Sequence, residues 1–130
     1  MGLDIQTVLD AVVADGAGVS ILVEDYGDVL MDLATASSAA GVVKFYGSNS
    51  EFPPDFAAAQ SVANMYDAIQ ITDLENGAVI DGDTGITLAG TDDFRHFEMN
   101  TNHFRWVTAV VSSWSVGAFT VKCKVGKKMN

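Results

Sequence analysis

The chain has 130 residues and a mass of 13.7 kDa, enough for one domain around one core. Apolar residues make up 48% of it and charged residues 18%, which excludes a disordered acidic tail; the formal net charge of −10 at pH 7 disfavours nucleic acid, whose phosphates need a cationic surface. One cysteine and two histidines exclude an internal disulfide framework and leave a conventional zinc site short of ligands.

In chain order, MGLDIQTVLD has neither the positive flank nor the apolar stretch of a secretory signal, so no targeting segment is expected. Val8, Leu9, Val12 and Val13 would share one face of a helix. The Asp15-Gly16-Ala17-Gly18 turn and the β-branched run Val19 to Val23 instead favour strand–turn–strand over Thr7 to Val23. After the break at Asp25-Tyr26-Gly27-Asp28, Val29, Met31 and Leu33 alternate with Leu30 and Asp32, which is strand periodicity. Ser37 to Gly41 reads as a small-residue loop, and Val42 to Tyr46 as the next strand.

Pro53-Pro54 blocks any helix through that point, while Asp55 is placed to cap a short turn over Phe56 to Gln60. The excursion from Phe52 to Ala63 is expected to cross from one sheet to the other. Tyr66 to Thr72 reads as one strand, and Glu75-Asn76-Gly77 is the strongest hairpin signal in the chain. Short strands follow at Ala78 to Ile80, Ile86 to Leu88 and Phe94 to Met99. Phe104 to Val111 and Ala118 to Val125 then read as a hairpin about a turn at Ser112 to Gly117, with Phe119, Val121, Cys123 and Val125 aligned. The predicted fold is all-β, an antiparallel, jelly-roll-like β-sandwich of eight or nine short strands in a single domain spanning 1–130, with extensions at 1–6 and 122–130.

Residues able to carry chemistry are scattered. Asp81-Gly82-Asp83-Thr84-Gly85 alternates carboxylates as calcium loops do, but no bidentate glutamate follows, so turn formation is the expected role. His96 shares a strand face with Phe94 and Glu98, and His103 lies by a turn, so neither a metal site nor an acid–base pair is expected. Cys123 alternates with Phe119 and Val121 as a buried thiol would, which argues against a nucleophile. Trp106 reads as core. Trp114, in the serine-rich turn, either packs over the end of the sandwich or meets a partner or a sugar. The expectation is therefore a non-enzyme with no catalytic residues, no bound metal and no cofactor.

Charge is polarised along the chain. Sixteen acidic residues face one lysine up to Asp93, whereas Glu98 stands alone against six Lys and Arg beyond it. Lys122, Lys124, Lys127 and Lys128 fall in the last nine residues, a basic tail able to meet an acidic neighbour, including another copy of the chain.

The order of three segments carries a resemblance. Val42-Val43-Lys44-Phe45-Tyr46-Gly47-Ser48-Asn49 ends a strand in a Phe-x-Gly-Ser turn, and Phe94 to Asn102 rises to an Asn/Thr turn. Phe104-Arg105-Trp106-Val107 then leads into Ser112 to Val121. That order resembles small β-sandwich virion proteins of tailed bacteriophages, over roughly Gly16 to Val125. The resemblance implies a capsid cement or decoration protein on the outside of the virion, made in the host cytoplasm. Its partners would be the major capsid protein and itself, as a dimer or trimer, with no nucleic acid and no membrane. The interface residues expected are Gly2, Leu3 and Ile5 at one end of the chain, Lys122, Lys124, Lys127 and Lys128 at the other, and Tyr26, Phe52 and Trp114 between them. The alternative is a tail- or fibre-associated β-sandwich that binds a glycan receptor, with Trp114, Tyr26 and Tyr46 as stacking residues.

Overall fold

The computed structural model describes residues 5–90 and 92–125. Among them every regular element is a strand: β1 (Ile5–Val12), β2 (Gly16–Ala17), β3 (Ile21–Leu22), β4 (Asp28–Ser48), β5 (Asp67–Ala68), β6 (Ile71–Asp73), β7 (Val79–Ile80), β8 (Ile86–Ala89), β9 (Phe94–Asn100) and β10 (Trp106–Val125). All pairings between them are antiparallel. The class is all-β and sandwich-like, as expected.

Two strands dominate. β4 has 21 residues and β10 has 20, and they pair with each other from end to end. A straight strand of that length would measure about 70 Å, whereas a compact domain of this size has a radius of gyration of about 14 Å. Both strands must therefore turn back, and they do so at the same level. Ser37 and Ser38 in β4, and Ser113 and Gly117 in β10, have positive φ (61°, 56°, 53° and 85°), and the β4–β10 register slips twice between Ser112 and Ala118.

The bend divides the sheet into two facing halves. In the first, the order is β1, β10, β4, β9, β6, β7. In the second, β2 and β3 lie on one side of β10, while β5 and β8 lie on the far side of β4. The buried apolar residues of the two strands keep one parity: Val29, Met31 and Leu33 before the bend and Val43 and Phe45 after it, then Val107, Ala109 and Val111, and finally Phe119, Val121 and Cys123. A strand that bends while keeping the same face inward encloses that face. The core fills the fold so made, and the Phe45 ring meets the Phe97 ring of β9 at 6.3 Å.

Five expectations need correction. Ser37 to Gly41 is no loop and Ser112 to Gly117 is no hairpin turn; both are bends within continuous strands. Small residues with left-handed backbone serve a bulged strand as readily as a turn, and only the pairing across β4 and β10 distinguishes the two. The strand expected from Tyr66 to Thr72 is two strands, because β5 pairs with β4 in the second half-sheet and β6 with β9 in the first. The crossing expected at Phe52 to Ala63 is thus made between β5 and β6, with Ile69 and Ile71 buried there. The strand expected to begin at Phe104 begins at Trp106.

The hairpin at Glu75-Asn76-Gly77 is present between β6 and β7: Gly77 has φ 75°, and its N–H donates to Asp73 O at 2.7 Å. β1 is a strand rather than a helix. Val8 and Leu9 are both buried because bulges on either side of Leu9, with Ala11 at φ 50°, break the alternation.

Candidate functional site: the open end of the sandwich

Bending β4 and β10 at their middles returns all four of their ends to the side opposite the bend. Three connections, 23–27, 49–66 and 101–105, gather there. Thr101 is fully buried among them; its N–H donates to Gly27 O (3.0 Å) and its hydroxyl to Tyr26 O (2.9 Å). Arg105 joins all three connections. Its backbone N–H donates to Ser48 O (2.9 Å), its carbonyl accepts from Val23 N–H (2.8 Å), and its guanidinium pairs with Glu24 (3.0 Å).

The longest connection, 49–66, has almost no regular structure and is held by side chains. Asp55 caps the turn as expected, its carboxylate accepting from Ala57 N–H (3.0 Å). Asn64 ties both ends of that turn: its side-chain oxygen accepts from Asp55 N–H (2.8 Å), and its NH2 donates to Asp55 O (2.9 Å) and Ala59 O (3.2 Å). Phe56 is buried against Tyr66 (5.2 Å between rings), and Tyr66 meets Tyr46 of β4 edge-on (5.1 Å). Burial, and then the neighbouring Tyr66, push the Tyr46 phenol above its ordinary value.

Between this connection and the end of β4 lies an open cleft of about 680 Å³. Gly47 and Phe104 form its floor. A Cβ at Gly47 would come within 2.8 Å of the Phe104 ring and 2.6 Å of Ile69 Cδ1, so glycine is what lets the ring lie against the strand. Ser48, Asn49 and Ser50 make one wall, and Gln60, Val62 and Met65 the other. Among the described residues Asp67 is the acidic residue of the lining, and no Lys or Arg contributes to it.

Two smaller recesses flank this region. One, of about 300 Å³, lies beside Val125 and is lined by Gln6, Leu22, Glu24, Asp25 and Tyr26. The other, of about 290 Å³, contains Asp28 and Glu98 with Asn100 and Asn102. The hydrogen bond to Asp28, with smaller contributions from burial and like charge, raises the Glu98 carboxyl above the usual glutamate value.

Of the interface residues expected, Gly2, Leu3, Lys127 and Lys128 lie outside the described residues. Ile5 and Lys124 face each other across β1–β10, with Lys122 one step along opposite Thr7. Tyr26 is half-buried in the recess beside Val125, at this same end. Phe52 is 73% exposed on the long connection. Trp114 stands apart at the bend, half-buried against the core, with its indole N–H donating to Gly117 O (2.9 Å) and its backbone N–H to Asp15 (2.7 Å). Trp106 is half-buried rather than core, its indole N–H donating to Ser50 O (3.0 Å).

The chemistry-bearing residues stay dispersed. Asp81 spends one carboxylate oxygen on the N–H groups of Asp83 (3.1 Å) and Thr84 (3.2 Å), which is turn chemistry. Among the described residues no three His, Cys, Asp or Glu side chains are grouped to hold a metal. His96 lies outward beside Asp32, and His103 is exposed. Cys123 is buried, and desolvation, with a smaller contribution from Asp32, pushes its thiol up to about 12. Sequence reasoning missed the cleft and the Asp73–Arg95 ion pair beneath β6 and β9. The one signal for the cleft was the apolar Val62 and Met65 in a segment with no strand periodicity.

No protein-family model matches the chain, and no curated protein matches it in sequence. Solved structures do share its fold. The SPBc2 prophage-derived protein YomS superposes with a TM-score of 0.67 over 96% of this chain and 94% of that one, at 13% identity. The PBSX exported protein XepA superposes with a TM-score of 0.71 over 95% of this chain, also at 13% identity. The match spans 37% of XepA, so in that protein the fold is part of a longer chain.

Proposed function

We propose that the chain is a structural virion protein of a tailed bacteriophage, a capsid cement or decoration protein that binds and stabilises the lattice of the major capsid protein. The observation that carries this reading is the architecture shared almost end to end with a prophage-derived protein. The order of the Phe45-Tyr46-Gly47-Ser48 and Arg105-Trp106 motifs supports the same reading. The role is one of contact rather than catalysis. It suits a domain whose two longest strands run through both half-sheets, because such a block presents surface residues at fixed separations.

The contact surface proposed is the open end and the adjoining outer face of β1 and β10, where Ile5, Tyr26, Phe52, Lys122 and Lys124 lie. A small domain gains stability by burying additional area against a lattice and against its own copies. Repetition over many equivalent sites converts weak contacts into lasting attachment. Quantitative gel analysis of purified particles, with a reconstruction of their density, tests the role. Hundreds of copies per virion and density seated on the capsid exterior are expected. A handful of copies, or density confined to the tail, would refute it.

A further inference from the structure

The cleft at the open end has walls that are set before any ligand arrives. The Ser48 hydroxyl donates to Met65 O (2.6 Å) and accepts from Ser50 N–H (3.2 Å), while the Tyr66 hydroxyl donates to Ala58 O (2.6 Å). The Gln60 amide closes the wall by donating to Tyr66 O. Fixing both walls in advance removes an ordering cost that a ligand would otherwise bear.

Lining and rim differ in character. The floor is the Phe104 ring against Gly47, and the mouth carries Val62 and Met65, which are 94% and 62% exposed. Apolar side chains left in water at the mouth of a recess of this size, within the range of small-molecule sites, mark a binding surface. Around them stand two uncharged polar groups and one carboxylate. The Asn49 amide and the Ser61 hydroxyl have no hydrogen-bond partner among the described residues, and Asp67 commits one carboxylate oxygen to Ala68 N–H (2.8 Å).

We propose that this cleft binds a neutral saccharide. A sugar ring offers an apolar C–H face to Phe104, Val62 and Met65, and hydroxyls to Asn49, Ser61 and Asp67. Among the described residues no cation lines the cleft and one carboxylate does, which disfavours phosphorylated, sulfated and carboxylated ligands. A ligand without hydrogen-bonding groups would bury the Asn49 and Ser61 groups without partners, and unpaired polar groups are costly to bury. The inference stands apart from the position of the protein in a particle.

The test is amide chemical-shift mapping of the full chain with cellohexaose, maltohexaose, mannohexaose and chitohexaose, and with an oligogalacturonate as the anionic control. At least one neutral oligomer should shift the Asn49, Ser61 and Asp67 signals while the control does not. Asn49→Ala and the cleft-filling Ser61→Trp, both at exposed positions, should weaken that binding by about tenfold or more with thermal unfolding unchanged. Several results would overturn the proposal: no shift with any neutral oligomer, shifts elsewhere in the molecule, an equal response to the anionic control, or binding that survives Ser61→Trp. Response at these residues only to an apolar dye such as anilinonaphthalene sulfonate would assign the cleft to an apolar partner instead.

Discussion

At the scale of single residues, Cys123 shows what alternation can establish. Its place in the series Phe119, Val121, Cys123 puts it on the inward face, and its burial is what raises the thiol to about 12 from an ordinary 9.0. The thiolate is the reactive form, so the folded protein should resist alkylation by iodoacetamide at mildly alkaline pH and be labelled stoichiometrically once unfolded; mass spectrometry distinguishes the two. The same shift has a consequence for stability. A group whose folded pKa lies above its unfolded value favours the fold while protonated, so this contribution is complete below about pH 9 and declines as the pH rises toward 12. Asp73 shows the opposite case. It is buried and ion-paired with Arg95, whose guanidinium also lies 5.3 Å from the Phe97 ring. Nothing local in ITDLENG announces that partner, because the pairing exists only once β6 lies beside β9.

At the scale of elements, glycine marks both the turns and the bends, and its two uses differ in their cost of substitution. Gly77 has φ 75° with open space around it, whereas a Cβ at Gly117, at φ 85°, would come 2.4 Å from Ala39 Cα in the facing strand. Gly77→Ala should therefore lose only the left-handed backbone cost, about 1 kcal/mol. Gly117→Ala should lose that and force β4 and β10 apart at the bend, on the order of 3 kcal/mol or more. Urea unfolding of the two variants checks the difference, and equal losses would mean that the strands do not touch at the bend. The alternation of Val29, Met31 and Leu33 was legible as strand, as was that of Phe119, Val121 and Cys123. That Ser112 to Gly117 continues a strand was not, since a bulge and a turn draw on the same small residues.

At the scale of the whole molecule, β4 and β10 make the two half-sheets one cooperative unit. Neither half can lose its central pair without breaking the strands of the other, so the domain should unfold in a single step. Trp106 and Trp114 report on the second half-sheet and the bend, and Cys123 on the first. Tryptophan fluorescence and protection of Cys123 from labelling should thus give one denaturant midpoint; separate midpoints would show that the halves melt independently. The cleft belongs to this scale as well. Its floor comes from Phe104, its walls from the end of β4 and from 60–66, and these meet because the bend brings the ends of both long strands to one side.

The amino-acid order by itself determined that the chain is all-β, which residues share a face along Val29 to Leu33 and along Phe119 to Val125, and where the hairpin at Gly77 turns. Those properties follow from a side-chain period of two and from backbone preferences acting over a few residues. The tertiary structure alone decided that two long strands bend where a loop and a hairpin were expected, that Asp73 finds Arg95, and that a cleft opens at one end. Each of these depends on which strand lies beside which, and that choice is made by burying the shared apolar face, a property of the whole chain and of no short segment.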